Sequence, residues 1–249
     1  MTDSTPEVIP VLENIKGIRA FFTTRRGGVS TGTFESLNLS YFSGDSADKV
    51  RENWDRLLRS QNLDAKIPAL PRLCHGSRVE EVFATDSAPL ENTDAIYTLS
   101  DKRLLAVTLG DCLAALIVDP EKRCVATVHA GWRGSRENIL GKTLTHLFEG
   151  GRCSPDSTWI AFGPCLATES LEISGEIAAT LPERHVKNLS GRFFFDLRGC
   201  NRAQAEALGV PPLQISEIPD CTRKNPDRFF SYRRDGAASG RMAACITLI

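Results

Sequence analysis

The sequence predicts an α+β (mixed α/β) protein with mainly antiparallel or mixed sheets. Residues 103–109 and 113–118 carry hydrophobic side chains on both faces, which is typical of strands at the centre of a sheet. Other segments show the three- to four-residue spacing of amphipathic helices. Strands and helices mix without strict βαβ alternation, and this mixture favours the α+β class.

The chain of 249 residues shows no repeat and no low-complexity linker, so we expect a single domain over residues 1–249. Apolar patterning and turn residues predict each element. The predicted strands are residues 18–24, 103–109, 113–118, 124–129, 158–162, 193–197, 213–218, 229–232 and 242–249. The predicted helices are residues 48–60, 135–148, 174–181 and 199–208.

Composition excludes several classes of function. Lys and Arg total 30 and Asp and Glu total 31, so no bulk positive charge favours nucleic acid or an anionic membrane surface. The first ten residues have neither the basic nor the apolar region of a signal peptide, and no apolar run is long enough to span a membrane. We therefore expect a cytoplasmic protein whose eight cysteines are free thiols or metal ligands.

A predicted hairpin brings a cysteine and a histidine together. If the turn between strands 113–118 and 124–129 is centred between Pro120 and Glu121, Cys112 lies opposite His129. Opposed residues share a face, with Cβ atoms roughly 4.5–5.5 Å apart. Such a pair can bind one zinc ion, or act as a nucleophile and its base.

A metal at this pair needs a third ligand, and the sequence has only four histidines. His146 falls in a predicted helix where it projects to the polar side, and His185 follows a polar stretch. His75 is next to Gly76 and follows apolar residues, so it is the best third ligand by elimination. Asp111, beside Cys112, is either a structural hydrogen-bond acceptor or a proton-transfer group.

Other residues could bind an anion or a sugar. Arg133 lies in the Gly-Trp-Arg-Gly segment between a predicted strand and helix, where backbone N–H groups and a planar guanidinium suit phosphate. The alternative there is a tight turn with a solvated arginine. Further anion candidates are Arg25, Arg26, Arg233 and Arg234, although arginine pairs are more often solvated or salt-bridged. Ser36 and Asn38 could bind a ribose or base, or could cap a turn.

An ordered set of motifs over nearly the whole chain resembles one family. The matching segments are residues 23–30 (TTRRGGVS), 36–39 (SLNL), 74–76 (CHG), 110–112 (GDC), 128–134 (VHAGWRG), 163–165 (GPC), 221–222 (CT), 229–236 (FFSYRRDG) and 240–241 (GR). The chain resembles the YfiH or laccase-domain family, whose bacterial members are named purine nucleoside phosphorylase, polyphenol oxidase or peptidoglycan editing factor.

The resemblance implies a zinc ion held by His75, Cys112 and His129. It implies phosphorolysis of adenosine, inosine and methylthioadenosine, and deamination of adenosine, so the expected partners are a nucleoside and phosphate. The implied fold is a central β-sandwich flanked by helices. The chain departs from the family pattern at Leu73, usually Gln, at Ala114, usually Pro, and at Leu171, usually Tyr. These departures bear on substrate range more than on the metal.

Three alternatives remain at this stage. The first is a metal-free cysteine hydrolase or amidase that uses Cys112 and His129 on a cell-wall precursor. The second is a copper-dependent polyphenol oxidase, although four histidines are too few for a multicopper centre. The third is a binding protein with a structural zinc, although structural sites usually have four protein ligands. Copper is therefore the less favoured metal, and the oligomeric state stays open.

Overall fold

The structure is a computed structural model that describes residues 5–86 and 90–249. The described residues form strands and helices that alternate irregularly along the chain. The strands are β1 (Val8–Pro10), β2 (Ile18–Thr23), β3 (Ile67–Ala69), β4 (Val79–Glu81), β5 (Ala95–Thr98), β6 (Arg103–Leu109), β7 (Leu113–Asp119), β8 (Cys124–Ala130), β9 (Trp159–Phe162), β10 (Glu172–Ile173), β11 (Val186–Leu189), β12 (Arg192–Phe195), β13 (Ile215–Glu217) and β14 (Met242–Leu248). The α-helices are α1 (Ala47–Ser60), α2 (Trp132–Arg136), α3 (Ile139–Glu149), α4 (Gly175–Ala178), α5 (Leu197–Glu206) and α6 (Tyr232–Asp235).

The strands form three sheets. One has the spatial order β1-β2-β14-β6-β3, the second has the order β13-β9-β7-β8-β5-β4, and the small third sheet has the order β10-β12-β11. Most neighbouring strands are antiparallel. The parallel pairs are β3 with β6, β4 with β5, and β13 with β9, and each lies at the edge of its sheet. The predicted mixture of antiparallel and mixed sheets is therefore confirmed.

The two larger sheets face each other and bury a shared apolar core. Every second residue of the central strands points into it, including Leu105 and Val107 from β6, and Leu116 and Val118 from β7. Because sheets packed face to face lie about 10 Å apart, only side chains fill this space. The alternate residues of the same strands point away from this core. They pack into two further apolar layers, one on the outer face of each large sheet.

Helices cover both outer faces of the sandwich. Helix α1 packs on the five-stranded sheet through Val50, Trp54 and Leu57, and the indole N–H of Trp54 donates to the carbonyl of Leu39 (2.9 Å). Helices α3 and α5 cover the six-stranded sheet. The expected sandwich flanked by helices is thus present, and it explains why the central strands are apolar on both faces. None of the helices formed by the described residues has the length and apolar character needed to cross a bilayer.

The register of the β7–β8 hairpin differs from the prediction. Ala114, not Cys112, lies opposite His129, and Asp119 lies opposite Cys124. The turn has four residues, because Arg123 takes a left-handed backbone conformation (φ 51°) and the Asp119 carboxylate accepts two backbone N–H groups inside the turn. The shift is two residues, so it preserves which side chains share a face.

Two other elements also differ. Residues 229–232 are not a strand, because Ser231 accepts a hydrogen bond from the backbone N–H of Arg234 and caps the short helix α6 instead. The helix predicted over residues 135–148 is divided into α2 and α3 at Asn138, whose φ of 61° no continuous helix allows. The break leaves α2 as a separate short helix, which begins just after His129.

Candidate metal centre

Three side chains from distant parts of the chain meet at one point. The ligand atoms of His75, Cys112 and His129 lie within 4.8 Å of one another. His129 is 3% exposed, Cys112 is half-buried, and His75 is exposed. The two imidazole rings meet edge to face, with centroids 5.0 Å apart and planes at 84°. Two imidazoles and a thiol that converge in this way are a donor set that suits zinc.

A fully buried carboxylate orients His129. The side chain of Asp94, which directly precedes β5, accepts a hydrogen bond from Nδ1 of His129 (2.9 Å) and is 0% exposed. The backbone carbonyl of Asp94 also accepts the N–H of His129 (2.7 Å). With Nδ1 bonded to Asp94, Nε2 is the atom left to face the cluster. A carboxylate in this position fixes the tautomer of a metal-binding histidine.

The same carboxylate shapes the loop that carries His75. It accepts backbone N–H groups from Cys74 (3.1 Å), His75 (2.9 Å) and Gly76 (2.9 Å), together with the thiol of Cys74 (3.1 Å). His75 has a φ of 60°, which is unusual for a residue with a side chain. Asp94 therefore ties this left-handed turn to strand β8 and sets the distance between the two histidines.

Cys112 reaches the cluster through another irregular backbone segment. It directly precedes β7, and Asp111 before it has a φ of 103°. Gly131 provides the space for the ligands, because a Cβ atom there would lie 3.0 Å from Sγ of Cys112 and 3.2 Å from Cδ2 of His75. A side chain at this position would therefore crowd the two ligand residues, whereas its φ of −76° is open to any residue.

The cluster separates charge in the protein without metal. Burial would raise the pKa of Cys112, but the positive charge of His129 and hydrogen bonds from both histidines lower it to about 6. Burial would lower the pKa of His129, but the Cys112 thiolate and the hydrogen bond to Asp94 raise it to about 10. Burial likewise opposes ionisation of Asp94, and the bond from His129 still holds its pKa below the usual range. A thiolate beside imidazolium is therefore the favoured state.

Asp111 has its carboxylate engaged by protein groups. Oδ1 accepts the hydroxyl of Thr222 (2.6 Å) and Oδ2 accepts the backbone N–H of Arg233 (2.6 Å). The residue is 6% exposed. These contacts correspond to the structural alternative considered from the sequence, and they join the segment before Cys112 to the start of α6. The proton-transfer role stays a prediction.

The cluster lies on the wall of a cavity of about 660 Å³. Leu73 and Leu171, two positions where the chain departs from the family pattern, also line it and make part of its wall apolar. Arg133 lines the cavity as expected from the sequence, and its guanidinium lies 4.4 Å from the ring centroid of Trp132. Arg133 is exposed, so this arginine is available to a ligand.

The structure places three of the predicted substrate-binding residues away from the cavity lining. Ser36 accepts the backbone N–H of Gly28 (2.8 Å), and Asn38 is fully buried with its amide bonded to protein groups. Arg234 donates to backbone carbonyls and forms an ion pair with Asp235 (2.7 Å). These side chains brace loops, so the turn-capping and salt-bridge alternatives describe them better than substrate binding does. Arg25 is likewise bonded to backbone carbonyls, and Arg26 pairs with Glu7.

Sequence reasoning missed two residues of the site. Asp94 is a carboxylate directly before an apolar strand, and a charged group in that position signals a buried hydrogen-bonding role. Arg241 was noted only as part of a motif, yet its side chain lines the cavity. No spacing rule identifies either residue, because both depend on contacts between segments far apart in the chain.

Comparisons with known proteins agree with this architecture. A family model described as multi-copper polyphenol oxidoreductase laccase matches residues 19–249. A purine nucleoside phosphorylase of Bacteroides thetaiotaomicron is 30% identical over 95% of this chain and 94% of its own length. Adenosine deaminase RL5, from an unknown prokaryotic organism, is 31% identical over 94% of this chain and 95% of its own length. The crystal structure of YlmD from Geobacillus stearothermophilus superposes with a TM-score of 0.90 at 28% identity, covering 95% of this chain and 93% of that one.

Substitution of Gly131 by Ala should lower the amount of bound metal while the fold survives. The added methyl group would occupy space used by Cys112 and His75, and the backbone angles at this position suit alanine. Metal content of the purified protein, measured by inductively coupled plasma mass spectrometry, checks this expectation. Gly175→Ala is the matched control, because a Cβ there meets Phe193 at an ordinary 3.4 Å. Equal metal content in both variants would contradict the assignment of a metal site to His75, Cys112 and His129.

Alkylation of Cys112 in the metal-free protein should follow a titration with its midpoint near pH 6. Its lowered pKa of about 6 means that the reactive thiolate predominates above that pH and is lost as the pH falls below it. Peptide-level mass spectrometry after short exposure to iodoacetamide separates Cys112 from the other cysteines. His129→Gln should move the midpoint upward by removing the positive partner. A midpoint near the ordinary thiol value of about 8.5 in the unsubstituted protein would be inconsistent with this electrostatic pair.

Proposed function

This chain belongs to the multi-copper polyphenol oxidoreductase laccase family, as its motifs predicted, and from that membership we propose that it is a zinc-dependent enzyme of purine nucleosides. The proposed reactions are phosphorolysis of adenosine, inosine and methylthioadenosine, and deamination of adenosine. The observation that carries the proposal is the cluster of His75, Cys112 and His129 on the wall of a cavity. Relatives named purine nucleoside phosphorylase and adenosine deaminase support the class of substrate.

The donor set favours zinc over copper. Two imidazoles and one thiolate correspond to a catalytic zinc site, in which three protein ligands leave one position for water or substrate. A multicopper centre needs many more imidazoles. Among residues 5–86 and 90–249, this is the only group of three or more His, Cys, Asp or Glu whose ligand atoms converge. His146 lies instead beside Tyr97, with Nε2 3.2 Å from its hydroxyl.

The chain's own residues would hold and orient both the metal and the substrate. Asp94 keeps Nε2 of His129 directed at the cluster and Cys112 contributes the thiolate. Bound zinc would supply Lewis-acid polarisation and a lowered pKa of a coordinated water. The cavity volume of about 660 Å³ falls within the range of roughly 300–1,000 Å³ typical of small-molecule sites. Phe42 and Tyr232 also line the cavity, so aromatic side chains are available to pack against a purine ring.

Assay of the purified protein with inosine and adenosine, with and without inorganic phosphate, tests this proposal. We expect release of free base that requires phosphate, and inosine formation from adenosine that does not. Cys112→Ala should lower kcat/KM by about 100-fold or more, because loss of a ligand removes a Lewis acid worth several kcal/mol in the transition state.

Cys245→Ala is the control for this assay, since Cys245 is a buried thiol on the far side of the five-stranded sheet and should leave the rates unchanged. Absence of both reactions in the metal-containing protein would refute the proposal. Full activity of Cys112→Ala would remove the cluster from the chemistry.

A metal-free cysteine hydrolase or amidase is the second candidate, and one observation favours it. Asp94, His129 and Cys112 stand in the order of orienting acid, base and nucleophile, with the thiolate already favoured over the thiol. Removal of metal with a chelator distinguishes the two candidates. If the protein still hydrolyses a cell-wall precursor amide after complete metal removal, the hydrolase is favoured. If metal removal abolishes nucleoside turnover and added zinc restores it, the nucleoside enzyme is favoured.

A further inference from the structure

We propose that the cavity contains a phosphate-binding subsite built on Arg241, with Arg233 also in the cavity lining, that takes the tetrahedral dianion of inorganic phosphate. The inference rests on the proposed function, because it assigns a place to the second substrate of phosphorolysis. It concerns a part of the cavity that the metal cluster does not occupy.

The guanidinium of Arg241 is anchored on one side only. Nη1 donates to the backbone carbonyls of Ser239 and Gly240 (2.9 Å for Gly240). Within the described ranges of the chain, no carboxylate lies within ion-pair distance of Arg241, although the charge of Asp111 acts on it from farther away, and its side-chain hydrogen bonds to protein groups are those of Nη1. An arginine held by Nη1 thus presents its remaining N–H groups to the cavity that it lines. This planar fork matches two oxygens of a phosphate.

The backbone around Arg241 is fixed as firmly as its side chain. Its N–H donates to the side-chain carbonyl of Asn38 (2.9 Å), and its carbonyl accepts the N–H of Leu39 (3.0 Å). Asn38 therefore positions Arg241, although it does not line the cavity itself. The guanidinium also lies 5.7 Å from the ring centroid of Tyr232. Such preorganisation lowers the entropy that ligand binding would otherwise cost.

Gly110 places this arginine close to the metal cluster. A Cβ atom at Gly110 would lie 3.0 Å from Cδ and 3.4 Å from Nε of Arg241, so the side chain packs directly against this glycine. Gly110 is two residues before Cys112. An anion bound at Arg241 would therefore lie near the position where the nucleoside meets the cluster.

The charge balance of the cavity favours a dianion. Its lining includes the arginines Arg72, Arg133, Arg233 and Arg241. Of these, Arg72 is paired with a carboxylate, Glu91 (3.6 Å). Asp111 is the single acidic residue of the lining as far as the chain is described, and both its oxygens accept hydrogen bonds from protein groups. The lining thus holds four arginines and one carboxylate, although the chain as a whole has a net charge of −1.

Arg233 adds a second positive group to the cavity lining. Its backbone N–H donates to Asp111, and Nη1 donates to the carbonyl of Glu172 (3.1 Å), which is a neutral acceptor. In phosphorolysis a phosphate oxygen forms the bond to C1′ of the ribose. The bond from C1′ to N9 breaks with its electron pair passing to the base, which takes a proton from solvent. The products are ribose 1-phosphate and the free base.

The same chemistry could bind the 5′-phosphate of a nucleotide, and the experiment separates the two sources. Isothermal titration of inorganic phosphate into the purified metal-containing protein should show binding that weakens about 10- to 100-fold in Arg241→Gln. Adenosine monophosphate should bind no more tightly than adenosine. The assignment of Arg241 to inorganic phosphate would be overturned if free phosphate did not bind and if adenosine monophosphate bound more tightly than adenosine only when Arg241 was present.

Kinetics provide an independent readout of the same variants. Arg241→Gln should raise KM for phosphate about 10- to 100-fold, with KM for inosine and phosphate-independent deamination of adenosine changed by less than about twofold. Arg241→Lys keeps the positive charge but loses the planar guanidinium. If two-point contact with phosphate matters, its KM for phosphate should lie between those of the unsubstituted protein and Arg241→Gln. Arg192→Gln, which removes a surface ion pair with Glu172, is the control.

Failure of the inference and failure of the proposed function give different results. An unchanged KM and unchanged phosphate affinity in folded Arg241→Gln would overturn the subsite while leaving the enzyme intact. If the protein turned over no nucleoside, phosphate titration would still decide whether Arg241 binds the anion.

Discussion

The candidate site depends on one buried carboxylate. The Asp94 side chain is 0% exposed. It accepts hydrogen bonds from Nδ1–H of His129, from three successive backbone N–H groups and from a thiol. A buried charge is tolerated only when such partners satisfy it. Because these partners come from the loop of His75 and from strand β8, the same hydrogen bonds that stabilise Asp94 also fix the separation of the two histidines.

The rest of the fold keeps this arrangement rigid. The β7–β8 hairpin is packed on both faces, so His129 has little freedom to move, and Cys112 is held just before the first residue of β7. The irregular backbone lies at the loops: His75 and Asp111 both have positive φ values, and Gly131 leaves room for the ligands. Strain of this kind persists where surrounding contacts over-determine the conformation. The sandwich thus supplies the rigidity, and its loops supply the chemistry.

Sequence patterns predicted the parts of the molecule that repeat a local rule. The apolar runs located β6, β7, β8 and β14 closely, and hairpin geometry brought Cys112 near His129 although the register was wrong by two residues. Local rules could not show that Asn38 and Arg234 bond to distant backbone groups. They also could not find Asp94, since its partners lie 18 to 35 residues away. Tertiary hydrogen bonds decide these roles, and they leave no periodic signal in the chain.

The zinc affinity of Asp94→Asn, measured by competition with a chromophoric chelator, shows directly whether this carboxylate holds the two histidines in place for a metal. An amide keeps the size of the carboxylate but loses its charge and part of its capacity to accept hydrogen bonds. Asp94→Asn should remain folded, by circular dichroism and thermal unfolding, and its zinc affinity should fall about 10- to 100-fold. A folded Asp94→Asn protein that binds zinc as tightly as the unsubstituted chain would contradict it.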